Sequence, residues 1–273
     1  MRFSAWVDRD RLPSLTGLTT DEVSYRLERS LKRGLIEKRT IQYEGYRLTF
    51  EGYDALALRT FSKRDTIDGV GAKLGVGKES DVYEVSSYRP MALKFHREGI
   101  GNFRKLNRER DYTADRRHSS DLYTARIAAE REFDILEDLY PTVSVPRPVD
   151  HNRHTIVMEK VHGQELARTT LEEDAVTPVL HRLLTEVSRA YDAGYVHADL
   201  SEYNVFVTED DIILFDWPQA VDISHENADE LLRRDIVNIV RYFERSYPGV
   251  IPALDPGEIA TAIATSNFGE IRL

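Results

Sequence analysis

Asp199 and Asn204 stand in the pattern H-x-D-x-x-x-x-N that begins at His197, and Asp216 follows after two short apolar runs, VFV and IILF. Three oxygen-bearing side chains in this order suit a phosphate that travels with a divalent cation. Hard cations take oxygen ligands, and one carboxylate plus one amide carbonyl, here Asp216 and Asn204, can hold the ion without stripping all of its water. The remaining carboxylate, Asp199, suits the attacking oxygen, which it can orient and from which it can accept a proton. The two apolar runs read as a hairpin that returns Asp216 to the loop carrying Asn204. The chemistry predicted is phosphoryl transfer.

The upstream sequence supplies matching parts. The stretch LGVGKESDV places Leu74, Gly75, Gly77, Lys78 and Val82 where a phosphate-covering loop needs them, with Ser80 in the place of a third glycine. Glycine lets backbone approach a phosphate, and Ser80 adds a hydroxyl. MALK puts Ala92 and Lys94 on a strand, where an ammonium among apolar residues needs a partner. Glu132, on a predicted helix, is suited to pair with Lys94 and aim it at the α- and β-phosphates, and Glu130 is a rival on the same helix. VMEKV reads as a linker in which the backbone of Glu159 and Val161 would hydrogen-bond adenine, with Met158 behind it. Each piece alone has a plain structural use, as a turn, a buried lysine or a strand. Five in this order match the parts of a protein-kinase ATP site, with Lys94, Asp199 and Asp216 as the catalytic residues. The cofactors expected are ATP and Mg2+, with Mn2+ as an alternative ion.

These residues must be positioned by a core, and a chain of 273 residues that is 41% hydrophobic can build one. Thr19 and Glu22 form a predicted capping box for a helix with Val23, Leu27 and Leu31 on one face, ended by Gly34. IEKRTIQYEGYRLT then reads as a hairpin turning at Glu44-Gly45, and FEGYDALALRTF as a helix. Helix, hairpin and helix suggest a winged-helix module at residues 1–70, although little precedes Thr19 to supply a first helix. Such modules serve either to enter a nucleic-acid groove or to dock and pack against protein.

Residues 71–273 form the predicted catalytic domain, with an N-lobe at about 71–160 and a C-lobe at about 161–273. Three strands (AKLGVG, DVYEVSSY and PMALKFH) lead into a polar loop from His96 to Ser120. A helix is expected from Arg126 to Tyr140, with Ile127, Phe133, Leu136 and Tyr140 near one face. HTIVMEKV is a buried strand, and a long amphipathic helix follows, with Pro178 near its start and Gly194 at its end. Strands followed by helices around a loop-rich chemical centre predict an α+β fold of two lobes. His151 and His154 read as structural histidines.

No cysteine is present and no apolar run is long enough to span a bilayer, which points to a soluble cytoplasmic protein without membrane contact. The formal net charge of −10 repels nucleic acid overall, so any such contact needs a local basic surface. Tyr25–Arg39 and Phe103–His118 are the two candidates.

GVGKESDVY, ALKFHR, RDYTADR, HADLSEYN and DWPQA together resemble the RIO family of atypical serine/threonine protein kinases, in the branch with an N-terminal winged helix. The resemblance runs from about Thr19 to the C-terminal helices. It implies a truncated two-lobed kinase-like domain and an ATP- and Mg2+-dependent enzyme of small ribosomal subunit maturation. It also implies autophosphorylation on serine, with Ser119 and Ser120 as candidates by position. In the family the residue matching Asp216 can accept the γ-phosphate as an acyl phosphate, and the segment from about His96 to Arg126 is mobile and contacts nucleotide. Residues 217–273 contain no A-P-E segment, so docking of a free peptide is not expected. Ser120 and Asp121 stand where the family suggests a tryptophan. Aminoglycoside- and choline-kinase-type phosphotransferases share H-x-D-x-x-x-x-N and an Asp-Trp pair, and form the enzymatic alternative. A nucleotide-binding scaffold without turnover is the other, although Lys94, Asp199, Asn204 and Asp216 are all retained.

Overall fold

The computed structural model describes residues 6–40, 42–77, 80–97, 111–209 and 211–270, with backbone alone at 76, 111–120 and 270. The chain divides into two compact units, residues 1–130 with 149–157 and residues 131–148 with 158–273. Helices and sheets are mixed in both, as the α+β expectation requires.

In the first unit β1 (Val7–Asp8), β3 (Glu44–Leu48) and β2 (Ile36–Thr40) form an antiparallel sheet in the order β1-β3-β2. Between β1 and β2 lie a 3-10 turn (Arg9–Arg11), α1 (Leu12–Thr16) and α2 (Thr20–Lys32). α1 corrects the expectation that no helix precedes Thr19. Pro13 sits in its first turn and Gly17 closes it at φ 70°. Five residues are too few to show a helical period. The predicted capping box opens α2, with the Glu22 N–H donated to Thr19 Oγ1 at 3.3 Å and the Thr19 N–H to Glu22 Oε2 at 2.9 Å. The hairpin turns before Glu44, not at Glu44-Gly45, because Gly45 lies inside β3, where a Cβ would come 3.0 Å from the Tyr43 ring and 3.5 Å from Trp6. Glycine there serves close packing. α3 (Phe50–Lys63) is capped by Thr49 and buries Tyr53, Ala57 and Phe61.

β4 (Gly69–Val76), β5 (Ser80–Ser86), β6 (Met91–His96), β8 (Thr155–Glu159) and β7 (Pro148–Asn152) make a five-stranded sheet in that order. β7 was not expected; its PVDHN sequence has no apolar alternation to announce it. In the β5–β6 register Tyr83 faces Leu93 and Val85 faces Met91. With Phe95 these pack on Ala57, Phe61, Ile67 and Val157, so helix α3 covers this face of the sheet. Side chains alternate across a strand, which gives Ser80, Val82, Ala92, Lys94 and His96 to the opposite face.

α4 (Asp111–Leu139) begins well before the expected Arg126. Its first turns, DYTADRRHSS, are mostly polar in sequence, so no apolar period signals them. Phe133 and Leu136 are buried as expected, whereas Ile127 and Tyr140 are exposed, and Leu122, Ala125, Ala129 and Leu139 complete the inner stripe.

In the second unit α5 (Glu173–Asp192) buries Val176, Leu180, Leu183, Leu184 and Val187, and Gly194 follows at φ 98°. β11 (Val205–Val207) pairs with β12 (Ile212–Leu214) as the expected hairpin, and β9 (Gln164–Glu165) adds to its other edge. β10 (Tyr195–Val196) pairs with β13 (Val221–Asp222). α6 (Ala228–Ser246) and α7 (Pro256–Ala264) close the unit. Among the described residues, no helix is long and apolar enough to cross a membrane.

Candidate active site

The hairpin sets the distance between Asn204 and Asp216. Val205 is registered with Leu214, and one rung further the Phe215 N–H donates to the Asn204 carbonyl at 3.0 Å. Asp216 is therefore the first residue past the ladder, beside Asn204. It adopts φ 70°, and Ala198, next to Asp199, adopts φ 63°. Left-handed backbone at a non-glycine residue costs on the order of 1 kcal/mol and persists only where the surroundings impose it. Here they do. Buried His197 lies with Nε2 3.1 Å from the Phe215 carbonyl, and burial holds its imidazole below the ordinary value, so the neutral ring donates from Nε2. Trp217 packs against that ring at 4.5 Å between centroids and donates its indole N–H to the Leu214 carbonyl at 3.2 Å.

One helix grips the loop on both sides of Asp199. Asp235 of α6 accepts the Ala198 N–H at 2.7 Å and the Leu200 N–H at 3.1 Å. Arg234 donates to the Ala198 carbonyl, and Asn238 to the Leu200 carbonyl at 3.2 Å. All four backbone polar groups flanking Asp199 are thus bound by three side chains at i, i+1 and i+4. Asp235 is 1% exposed, and burial pushes its carboxyl up to about 7, against the two N–H groups that favour the anion. These three residues were not among the sequence candidates. The available signal was an acid set in the apolar stripe of Leu232, Ile236, Ile239 and Val240.

Glu132 and its rival differ in burial. Glu132 is 1% exposed and accepts the Trp217 N–H at 3.2 Å, whereas the Glu130 side chain is 43% exposed and lies 4.0 Å from Arg126. Only Glu132 has the buried setting that the pairing expectation asked for. Glu159 donates its N–H to the Arg147 carbonyl at 2.9 Å, so the adenine expectation falls on the Glu159 carbonyl and on the Val161 backbone, with Met158 at the end of β8.

The other candidates lie in the first unit. Gly75 is registered with Val82, and Val82 with Lys94, so three of them share one row across β4, β5 and β6. Lys94 is 5% exposed and Ala92 is buried, while Leu74 is exposed. The Gly77 N–H donates to the Ser80 carbonyl at 2.8 Å. Among the described residues, a Cβ at Gly75 would meet nothing within 4 Å, and one at Gly77 would come no closer than 3.4 Å to Ser80. Neither glycine is required by packing among the described residues. Lys78, residues 98–110 of the expected nucleotide-contacting segment, and the side chains of Ser119 and Ser120 lie outside the described residues.

The donor set fits a hard cation. The Asn204 amide oxygen accepts from Ser201 Oγ at 2.7 Å, which fixes its orientation and leaves its second lone pair for a ligand, and Asp216 adds a carboxylate. Among the described residues no three acidic or imidazole groups converge as a ready-made metal cage. An ion brought by a phosphate needs no such cage.

A sheet with a buried lysine in register with glycine-rich strands, and a helix-gripped loop followed by a hairpin aspartate, are the parts of a protein-kinase-like phosphotransferase. The family models agree: "RIO domain" matches residues 81–254, and "Rio2, N-terminal" matches residues 1–64. The chain belongs to the RIO family of atypical serine/threonine protein kinases, in the branch with an N-terminal winged helix. It is 43% identical over 252 residues to the RIO-type serine/threonine-protein kinase Rio2 of Methanocaldococcus jannaschii, covering 90% of this chain and 92% of that one. It is 42% identical to the serine/threonine-protein kinase rio2 of Schizosaccharomyces pombe over 76% of its length, but spans only 61% of that longer chain. The crystal structure of the Rio2 kinase-ADP/Mg2+-phosphoaspartate complex from Chaetomium thermophilum superposes with a TM-score of 0.77 at 30% identity, covering 91% of this chain and 77% of that one.

Proposed function

We propose that this kinase is an ATP- and Mg2+-dependent serine kinase and ATPase that acts in the cytoplasm on the precursor of the small ribosomal subunit. Its winged-helix module would occupy residues 1–70 and its catalytic domain 71–273. The observation that carries the chemistry is the rung from Phe215 to Asn204, which seats Asp216 beside Asn204. Asn204 and Asp216 would hold Mg2+, which supplies charge neutralisation for the phosphates when bound. Lys94, paired with Glu132, would hold the α- and β-phosphates, and Gly75, Gly77, Lys78 and Ser80 would cover them. Leu74, Val82, Ala92, Met158, Glu159 and Val161 would enclose the adenine.

Two acceptors are open to the γ-phosphoryl group. A serine hydroxyl can attack while Asp199 takes its proton. Alternatively a carboxylate oxygen of Asp216 bonds to the γ-phosphorus as the bond to the bridging oxygen breaks, and ADP leaves with that electron pair. Water then attacks the acyl phosphate, Asp199 accepts a proton, and inorganic phosphate departs. The phosphoaspartate in the C. thermophilum complex supports the second route. The ribosomal partner follows from the family resemblance, and the run Tyr25–Arg39 offers the winged helix a basic surface for RNA. ATP turnover by Asp199→Ala and Asp216→Asn tests the assignment. Each should lose about 10³-fold or more, and wild-type rates in both variants would overturn it.

A further inference from the structure

A chain of charges, partly buried at Asp54, Arg97 and Asp81 and exposed at Lys73, runs from the winged-helix module to the glycine-rich strands. Asp54 of α3 takes the Arg97 guanidinium in a two-pronged grip, with Oδ1 2.7 Å from Nη1 and Oδ2 2.8 Å from Nη2. Oδ1 also lies 2.7 Å from Nε2 of fully buried His154. Arg97 turns its Nε to Asp81 Oδ2 at 3.0 Å, and Asp81 Oδ1 meets Lys73 Nζ at 2.8 Å. Aromatic rings wall the chain. Phe95 and Phe50 lie 5.0 and 5.7 Å from the guanidinium carbon, and Tyr53 stacks on His154 at 4.6 Å. Burial raises the Asp54 carboxyl, but hydrogen bonds from His154 and Arg97 outweigh it and hold the group below its ordinary range.

The positions of these residues give the network its meaning. Lys73 precedes Leu74 on β4, and Asp81 follows Ser80 on β5, so their ion pair joins the two strands on either side of the glycine turn. Arg97 follows β6, three residues after Lys94. One carboxylate on a helix of the winged-helix module therefore ties the strand that leaves Lys94 to both strands of the phosphate-covering loop. Charge-assisted two-pronged pairs carry geometric precision as well as energy, and a pleated sheet passes the position of one face to the other. We propose that Asp54 is a positioning residue for nucleotide binding, and that the winged-helix module sets the affinity of the phosphate-covering loop through Arg97, Asp81 and Lys73. This role rests on the nucleotide assignment of that loop made above.

The test measures the dissociation constant of ATP with Mg2+, the KM and kcat of turnover, and the melting temperature of the full chain. The proteins compared are wild type, Asp54→Asn, Asp54→Glu, Lys73→Met and the double variant Asp54→Asn/Lys73→Met. Asp54→Asn is expected to weaken ATP binding on the order of tenfold, with KM rising more than kcat falls, and Asp54→Glu to recover part of the loss. Lys73→Met, which leaves the winged-helix module untouched, is expected to weaken ATP binding in the same direction. Both substitutions cut one chain, so the double variant should bind hardly worse than the weaker single one. A lowered melting temperature with ATP affinity within twofold of wild type, or losses that multiply in the double variant, would overturn the proposal. Failure of wild type itself to bind ATP with Mg2+ would instead remove the assignment on which it rests.

Discussion

Residues 197–204 and residues 74–82 both belong to the proposed phosphate site, yet they are held in different ways. Around Asp199 the N–H and C=O groups of both neighbouring residues are bound by Asp235, Arg234 and Asn238, and left-handed Ala198 is locked among them. Around Gly75 and Gly77 the backbone is shaped by strand register, one turn hydrogen bond and the Lys73–Asp81 pair, and no atom of the described residues lies within 4 Å of a Cβ placed at Gly75. A group that takes or passes a proton must be fixed within a fraction of an ångström. A loop that covers phosphates must let them in and out, and glycine without packing duties permits that. In the proposed site, rigidity is concentrated where bonds would change, and clearance where phosphates would sit.

Substitutions can break or sharpen this contrast. The largest effect is expected at the carboxylates proposed to react, where Asp199→Ala and Asp216→Asn should each lower ATP turnover by about 10³-fold or more. Next comes the grip on the loop. Asp235→Asn loses the anion that accepts two N–H groups, and kcat should fall on the order of 10²-fold with ATP affinity little changed. Wild type carries a pH signature of the same group. The folded carboxyl, at about 7, lies above its unfolded value of about 3.9, so the stability it contributes is full below pH ~4 and is lost as pH rises to about 7. The loop-holding anion gains population over the same upper range. Turnover should rise through pH 7 in wild type as stability declines, and Asp235→Asn should abolish both slopes in paired rate and melting profiles.

Glu132→Gln should come third. It keeps the acceptor for the Trp217 N–H but removes the charge proposed to face Lys94, and KM for ATP should rise about tenfold with a stability loss of about 1 kcal/mol. The smallest effect is the most discriminating. Gly75→Ala adds a methyl group that meets no atom of the described residues within 4 Å, so the melting temperature should hold within the equivalent of about 0.5 kcal/mol. If phosphates approach there, ATP affinity should nevertheless drop severalfold. Unchanged affinity would mean that the openness at Gly75 serves no ligand.

The legible parts of this molecule were those whose chemistry is local in sequence. The capping box of α2, the hairpin from Val205 to Leu214 and the alternation that buries Leu93 and Phe95 while giving Lys94 the other face all follow from short spacings. What escaped was set by distant partners or by elements without a period. Asp235 acts on backbone 35 residues away, so nothing near it in sequence reveals its role. α1 is too short for a period, and the first turns of α4 are too polar for one. Arg97 read as part of the polar loop that starts at His96, because its partner Asp54 stands 43 residues earlier in another module.

The central claim, that Asp216 stands beside Asn204 to receive or present a γ-phosphoryl group, is most directly tested by incubating the protein with γ-labelled ATP and Mg2+. Free phosphate and protein-bound label are followed together, and the bound label is challenged with neutral hydroxylamine in wild type and in Asp216→Asn. The account predicts slow phosphate release and a hydroxylamine-labile label that disappears in the variant. A label that resists hydroxylamine and persists undiminished in Asp216→Asn would contradict it.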